Sequence, residues 1–217
     1  MRRLMPLLGL LLLLTACGPK TITFTLTTDL TDAEERTAVF HAAQRVVFRR
    51  TGRLTETPEQ PSLTAQEDGT VLLTATLPTQ EADILTQEVL ESFSLNIMLQ
   101  SMDDTGDLYV EEQGWFTKTD ITEKDILWTQ SFTETDGKGV VVLLLTDEGR
   151  TRFDALIRQN IERTIGLFVR GKLMSKMQIA RTMENDKIAI SGIPSPDIAG
   201  IFADDVNVGL HVTFSQL

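Results

Sequence analysis

The chain has 217 residues, of which 31 are Asp or Glu and 20 are Lys or Arg, so its formal net charge is −11 at pH 7. This acidity argues against binding to the phosphate backbone of nucleic acids and against adhesion to anionic lipid through a basic face. The length suits one large domain or two small ones, and a hydrophobic content of 41% is enough for a packed core. A single cysteine excludes a disulfide framework.

The N-terminus has the pattern of an export signal. Met1–Arg3 is positively charged, Leu4–Leu14 is almost wholly apolar, and Leu14-Thr15-Ala16-Cys17 resembles the lipobox that lipoprotein signal peptidase cleaves. The apolar run is too short to cross about 30 Å of hydrocarbon as a helix. We therefore predict a signal peptide over residues 1–16 and a lipidated N-terminus over residues 17–19. A bacterial lipoprotein of this kind is anchored through Cys17 on the extracytoplasmic side of a membrane; the alternative is that Cys17 is a free or buried thiol.

Residues 20–102 are predicted to form a first unit with the element order βαββαβ. The predicted elements are a strand at Ile22–Leu26, a helix from the capping box Thr31-Asp32-Ala33-Glu34 to about Arg50, strands at Leu63–Gln66 and Val71–Leu77, a helix from Pro78-Thr79, and a strand at Leu95–Leu99. This order is typical of the split-βαβ, ferredoxin-like arrangement, in which two helices cover one face of an antiparallel sheet. The predicted fold class is therefore α+β.

The acidic, turn-rich stretch 103–114 is predicted to be a linker, and residues 115–217 are predicted to form a second α+β unit. Its predicted elements are a helical turn near Thr122–Leu127, strands at Trp128–Thr133, Val140–Leu145, Ile165–Val169, Met177–Ala180 and Ile188–Ile190, a helix capped by Thr146, a short helix from Ser195 to about Ala203, and a final alternating strand over Val206–Phe214. The continuous apolar run of Val140–Leu145 predicts a strand that is buried on both faces.

Residue types suited to catalysis or metal binding are sparse. The two histidines, His41 and His211, are far apart in sequence and are expected to be surface or packing residues. The acidic pairs at Asp103-Asp104, Glu111-Glu112 and Asp204-Asp205 lack the spacing of a calcium loop, so we expect them to be solvated. No zinc-ligand spacing and no nucleophile motif occurs in the sequence. We therefore expect no metal, no cofactor and no enzymatic activity.

Part of the second unit resembles the SecD family, whose members are accessory membrane subunits of the Sec preprotein translocase. The resemblance is carried by the apolar strand Val140–Leu145, Thr146, Glu148-Gly149 and Phe153, and then by Asn160, Ile165–Val169, Gly171-Lys172, Ile179 and Ile188–Gly192. Thr122–Ile126 and Trp128 are similar to the entry to the same region. This region is the head of the large first extracytoplasmic domain of SecD. Residues 20–102 are similar to the base of that domain in element order, with a weaker match of residues.

The sequence also departs from the SecD pattern. Arg170-Gly171 stands where SecD tends to have Asp-Gly, and Ser175-Lys176-Met177 stands where it tends to have a Ser-Ala-Pro-like turn. No second apolar run is long enough to match the transmembrane helices that carry the proton-coupled function of SecD. The resemblance therefore implies a SecD-like extracytoplasmic domain that a lipid, rather than a helix, holds at the membrane.

The resulting hypothesis is a non-enzymatic binding or scaffolding lipoprotein. Its expected partners are the membrane, exported polypeptides or Sec translocase subunits, and not nucleic acid. The expected mechanism is docking of an extended chain on an exposed sheet edge or in an apolar groove between the two units. One alternative is a structural cell-envelope lipoprotein unrelated to Sec, because fold does not fix function. The other is a transporter-associated lipoprotein that binds a ligand in a deep pocket with convergent polar groups.

Overall fold

A computed structural model describes residues 18–184 and 186–217, so the predicted signal peptide and Cys17 lie outside the described residues. The described chain has a mixed α/β fold. Its helices are α1 (Ala33–Leu54), α2 (Thr79–Leu90), α3 (Asp147–Gln159) and α4 (Pro196–His211), with a 3₁₀ turn at Glu123–Asp125. Its strands are β1 (Pro19–Thr28), β2 (Ser62–Ala65), β3 (Val71–Pro78), β4 (Leu95–Gln100), β5 (Leu108–Val110), β6 (Gly114–Thr122), β7 (Ile126–Thr133), β8 (Gly139–Leu145), β9 (Thr164–Val169), β10 (Lys172–Gln178), β11 (Lys187–Ile193) and β12 (Val212–Gln216).

The first sheet is antiparallel and has the strand order β12-β1-β3-β2. The alternation of threonine with apolar residues in β1 buries one face, and Ile22, Phe24 and Leu26 are at most 2% exposed. These side chains belong to one core with Val39 and Ala43 of α1 and with residues of α2. The apolar periodicity of β1 and α1 therefore produces the packing of helix on sheet that the sequence predicts.

The predicted last strand of the first unit lies in a different sheet. β4, which contains Leu95, Ile97 and Leu99, pairs with β6 and β9, and the edge beside β1 is occupied by β12 at the C-terminal end of the described chain. The pairing of β1 with β12 runs from Phe24 opposite Gln216 to Thr28 opposite Val212. Residues 20–102 are thus not a closed unit, because the first sheet takes its edge strand from the far end of the sequence.

The segment predicted to be a linker contains part of a sheet. Leu108–Val110 forms β5, which pairs with β6 through a tight turn at Glu112 and Gly114, both at positive φ. The strand order of this second sheet is β10-β9-β4-β6-β5, and the third sheet has the order β11-β8-β7. Because β4 pairs with both β6 and β9, the sheet crosses the predicted boundary at 103–114 rather than ending there.

Helix α4 extends further than predicted. We expected a short helix to about Ala203 and then a strand from Val206, whereas the helix runs to His211 and the strand begins at Val212. Valines at 206, 208 and 212 alternate as in a strand, but Ala199, Ala203 and Val206 also recur at helical spacing and are buried. The segment forms a helix rather than a strand because it packs on two sides. Val206 belongs to the core of the second and third sheets, and Val208 belongs to the core of the first.

Two local predictions differ from the structure in detail. The cap of α1 is Asp32 rather than Thr31, and its carboxylate accepts hydrogen bonds from Glu34 N and Glu35 N, both at 2.9 Å. β8 is buried mainly on one face, because Val141, Leu143 and Leu145 are fully buried while the residues between them are half-buried. By contrast, Thr146 caps α3 as predicted, and its hydroxyl accepts from Gly149 N at 3.0 Å.

Candidate functional site

A groove lies where the C-terminal part of α1, the end of α2, the β9–β10 turn and α4 meet. It has two lobes, of about 530 Å³ and about 290 Å³. The residues that line both lobes are Val46, Arg50, Glu91, Phe93, Arg170 and Asp205. Since α1 and α2 cover the first sheet whereas β9 and β10 belong to the second, the groove lies between the two layers. We call it the interlayer groove.

Arg50 is a buried cation in this groove. It lies near the end of α1, is 9% exposed, and donates from Nη1 to the carbonyl oxygen of Glu88 at 2.6 Å. Among the described residues, no carboxylate oxygen lies within ion-pair distance of its guanidinium. Burial lowers the pKa of Arg50, and the neighbouring charge of Arg170 lowers it further. The hydrogen-bond partner of Arg50 is therefore a carbonyl oxygen, while the charges of Asp205 and Glu88 act on it from beyond ion-pair distance.

Arg170 reaches the same groove from the turn between β9 and β10. Its backbone has a φ of +48°, in the left-handed region, and its N–H donates to the carbonyl oxygen of Ser94 at 2.8 Å. Its guanidinium carbon lies 5.8 Å from the centroid of the Phe93 ring, a cation–π geometry. Its Nε is buried and has no hydrogen-bond partner among the described residues. A buried donor of this kind is stabilised by any acceptor that reaches it.

Arg49 and Arg53, two other cations at the groove, are paired with carboxylates. Arg49 Nη1 lies 3.1 Å from an oxygen of Asp204, and its Nη2 lies 3.7 Å from an oxygen of Asp205. Arg53 is 3.0 Å from a carboxylate oxygen of Glu88. Burial raises the pKa of Asp205, while the charges of Arg49, Arg50 and Arg170 act in the opposite direction. Among the described cations that line the groove, Arg50, Arg170 and Lys172 thus have no carboxylate within ion-pair distance, and the lining carboxylate of Glu91 has no cation within that distance.

Apolar side chains form the rest of the lining. Val46, Phe93, Val169, Met174, Ile201, Phe202 and Val206 contribute to the larger lobe. Met174 on β10 is 50% exposed and Ile201 on α4 is 40% exposed, so the mouth of the groove presents apolar surface to solvent. The groove can therefore accept a ligand that has an apolar part and a negatively charged group.

The two histidines do not form a site. His41 is exposed on α1. His211 ends α4, where Nδ1 lies 3.1 Å from Asp29 Oδ1 and Nε2 lies 3.0 Å from the carbonyl oxygen of Leu127. Its ring also stacks on Trp128, with 5.2 Å between the centroids. Both ring nitrogens of His211 are therefore engaged in contacts that fix the end of α4.

The acidic pairs occupy different environments. Asp103-Asp104 and Glu111-Glu112 are exposed, whereas Asp204-Asp205 lies on α4, where its carboxylates face arginines of α1. The expectation that all three pairs are solvated is therefore wrong for Asp204-Asp205. Within residues 18–184 and 186–217, no group of three or more His, Cys, Asp or Glu side chains could hold a metal ion.

The interlayer groove is not predicted from the sequence as a charged site, because its residues come from distant segments. Arg50, Glu88, Phe93 and Asp205 have no pattern that links them along the chain. In the sequence, Arg170 is marked only as a departure from the expected resemblance, which predicts an aspartate at this position.

Comparison with solved structures finds this fold in SecDF. A crystal structure of SecDF in a super-membrane-facing form covers 91% of this chain with a TM-score of 0.52 and 16% identity. A crystal structure of SecDF from Thermus thermophilus, described as a translocon-associated membrane protein, covers 90% with a TM-score of 0.51 and 16% identity. This chain spans 30% of the length of each of those chains. The predicted resemblance to SecD is thus confirmed at the level of the fold.

No protein-family model matches the sequence, and no curated protein matches it either. None of the described helices combines the length and the apolar content that a bilayer crossing requires.

Proposed function

We propose that this protein is a lipid-anchored extracytoplasmic lipoprotein that binds exported polypeptides or Sec translocase subunits without catalysing a reaction. The observation that carries the proposal is the likeness of nine-tenths of this chain to SecDF, which one of the matched structures describes as translocon-associated. Cys17 supplies the anchor, because it follows the apolar run of the export signal directly. The absence of nucleophile and metal motifs from the sequence supports a binding role.

The interlayer groove and the edge of β10 together form the proposed docking surface. β10 is the terminal strand of the second sheet, so one side of its backbone faces no other strand of that sheet. Lys172 and Met174 lie on this strand and also line the groove. An extended polypeptide that pairs with β10 would therefore place side chains in the groove, which is the geometry of strand addition.

We also propose that the first sheet with α1 and α2 is a ferredoxin-like layer whose fourth strand is β12. Its support is the strand order β12-β1-β3-β2, in which β12 stands beside β1 where the sequence predicts β4. In this arrangement the residues between α2 and β12, from β4 to α4, are an insertion. The insertion contributes the β9–β10 turn and α4, which line the groove together with α1 and α2.

Co-purification tests the proposed partners. The full chain is isolated from detergent-solubilised membranes at native expression, and the proteins retained with it are identified by mass spectrometry. We expect translocase subunits or exported polypeptides to be enriched, and Met174→Asp to reduce them because it places a charge on the apolar mouth. Met102→Asp is the matched control, since Met102 is 89% exposed and does not line the groove. Equal amounts of co-purified partner with Met174→Asp and Met102→Asp would exclude the groove as the docking surface. If the parent chain enriches no export proteins, the proposed function is contradicted.

A second candidate, a lipoprotein that binds a small ligand for a transporter, is favoured by the convergence of Arg50 and Arg170 in one cavity. Co-purification with a transporter in place of the translocase would favour it.

A further inference from the structure

We propose that Arg50 and Arg170 form an anion-binding site in the interlayer groove, which takes a carboxylate or phosphate group borne by a ligand with an apolar part. The inference does not depend on the proposed role in export, because it rests on the charges and contacts of the groove alone.

The first argument is the local charge. The larger lobe is lined by the cations Arg49, Arg50, Arg53, Arg170 and Lys172 and by the acids Glu88, Glu91 and Asp205, a net charge of 5 − 3 = +2. The whole chain has a net charge of −11. A positive cavity in so acidic a protein attracts anions locally while the remaining surface repels them.

The second argument is that no carboxylate oxygen among the described residues lies within ion-pair distance of Arg50 or Arg170. The charge of Asp205 acts on both of them only from farther away. Arg50 uses Nη1 for the carbonyl oxygen of Glu88, and Arg170 contacts the face of Phe93. In contrast, Arg49 and Arg53 have carboxylate partners at 3.1 Å and 3.0 Å. The planar guanidinium matches the geometry of carboxylate and phosphate oxygens, and both groups line the same cavity, so both are suited to donate to an anion that enters it.

The third argument is the repulsion between the two arginines, which line the same cavity. Burial lowers the pKa of Arg50, and the charge of Arg170 lowers it further. An anion that binds beside both guanidinium groups would offset this repulsion, so binding would stabilise the groove.

The ligand needs an apolar part because of what surrounds the two arginines. Phe93 lines both lobes, and Phe202 and Val206 line the larger one. A volume of about 530 Å³ suits a ligand larger than a free inorganic ion. A carboxylate or phosphate attached to an aromatic or aliphatic group therefore fits the lining better than the bare ion.

A titration of the full chain in detergent tests the site. The probes are N-acetyl-phenylalanine, which has a carboxylate beside an aromatic ring, its uncharged amide, phenyl phosphate, and inorganic phosphate. The readout is the shift of the arginine Nε–Hε resonances in nitrogen-15 NMR spectra. We expect the two aromatic anions to shift Arg50 and Arg170 with saturation, and the amide to leave both unchanged. Tighter binding of N-acetyl-phenylalanine indicates a carboxylate ligand, and tighter binding of phenyl phosphate indicates a phosphate ligand.

Variants locate the binding. Arg170→Gln is expected to weaken the binding of the better anion by about tenfold or more, because it removes a charge-assisted hydrogen bond. Arg158→Gln, on the exposed face of α3 and outside the groove, is the charge-matched control and should leave the affinity unchanged. If Arg170→Gln does not fold, the resonance shifts of the parent chain still decide the question. Failure of every anion to shift Arg50 and Arg170 saturably, or equal shifts with the amide, would overturn the proposal.

Discussion

The side chain of Asn207 in α4 forms two hydrogen bonds with the backbone of Thr129 in β7. Its Oδ1 accepts from Thr129 N at 2.7 Å, and its Nδ2 donates to Thr129 O at 2.8 Å. β7 is an edge strand of the third sheet, so the amide takes the place of a neighbouring strand at this residue. Asn207 is 6% exposed, and the pairing therefore attaches α4 to the sheet where water does not compete.

Replacement of Asn207 by leucine should destabilise the protein by about 2–4 kcal/mol, because it leaves a buried N–H and a buried carbonyl without partners. Chemical denaturation monitored by circular dichroism measures the loss. Gln130→Leu is the control, since Gln130 is exposed on the same strand and should change stability little. A loss for Asn207→Leu no larger than that for Gln130→Leu would show that the amide contributes nothing.

The close packing of Gly209 on Phe93 leads to a second prediction. A Cβ atom at Gly209 would overlap Cγ and Cδ2 of the Phe93 ring, so Gly209→Ala should destabilise by about 1–3 kcal/mol. Gly200 lies on the same helix, where a Cβ would meet only Ser131 Oγ at 3.9 Å. Gly200→Ala should instead stabilise by about 0.5–1 kcal/mol, because alanine favours helix. Thermal unfolding of both variants checks the sign of each change, and the same sign for both would refute the packing argument.

The extent to which the sequence predicts the fold depends on whether local pattern and tertiary context agree. β1 is predictable because Ile22, Phe24 and Leu26 alternate strictly, and α3 is predictable because Thr146 caps it and Phe153 and Ile157 form its buried stripe. Gly149 in the first turn of α3 also has a physical role, because a Cβ there would overlap the carbonyl oxygen of Asp125. In these elements the local sequence pattern and the tertiary packing favour the same secondary structure.

The partners of each element are harder to predict, because strand pairing is a long-range property. β4 has a clear strand pattern, but nothing in that pattern indicates that it pairs with β9 instead of β1. The end of the final helix is predicted wrongly as a strand, because Val206 and Val208 alternate as in a strand and the helix depends on two cores that the local sequence does not contain. The groove is hidden for the same reason, since Arg50 and Arg170 meet only through the fold.

A third prediction concerns cooperativity. The sequence alone predicts two units that unfold separately, but β12 completes the first sheet and α4 contributes to both cores. Leu143 is fully buried in β8, so Leu143→Ala should cost about 2–5 kcal/mol. Amide exchange should then show faster opening of the first sheet as well as of the third. Leu144→Ala, at the half-buried neighbour, should have a smaller effect. Loss of protection confined to β7, β8, β11 and α3 would support separate units.

A fourth prediction concerns the anchor. Cys17→Ala should abolish attachment of the acyl group and shift the protein from the membrane fraction to the soluble fraction, or leave it as an uncleaved precursor. Metabolic labelling with a radioactive fatty acid, followed by fractionation, measures both effects. Gly18→Ala is the control, because it leaves the cysteine in place. Fatty-acid labelling and full processing of Cys17→Ala would rule out Cys17 as the lipidation site.

Photocrosslinking in intact cells tests the proposed function most directly. A photoreactive phenylalanine analogue replaces Met174 at the mouth of the groove or, as the control, Met102, which lies outside it. After irradiation, the captured proteins are identified by mass spectrometry. Our account predicts that position 174 captures exported polypeptides or translocase subunits and that position 102 does not. Capture at position 174 of only proteins unrelated to export, or the same set of proteins from both positions, would contradict it.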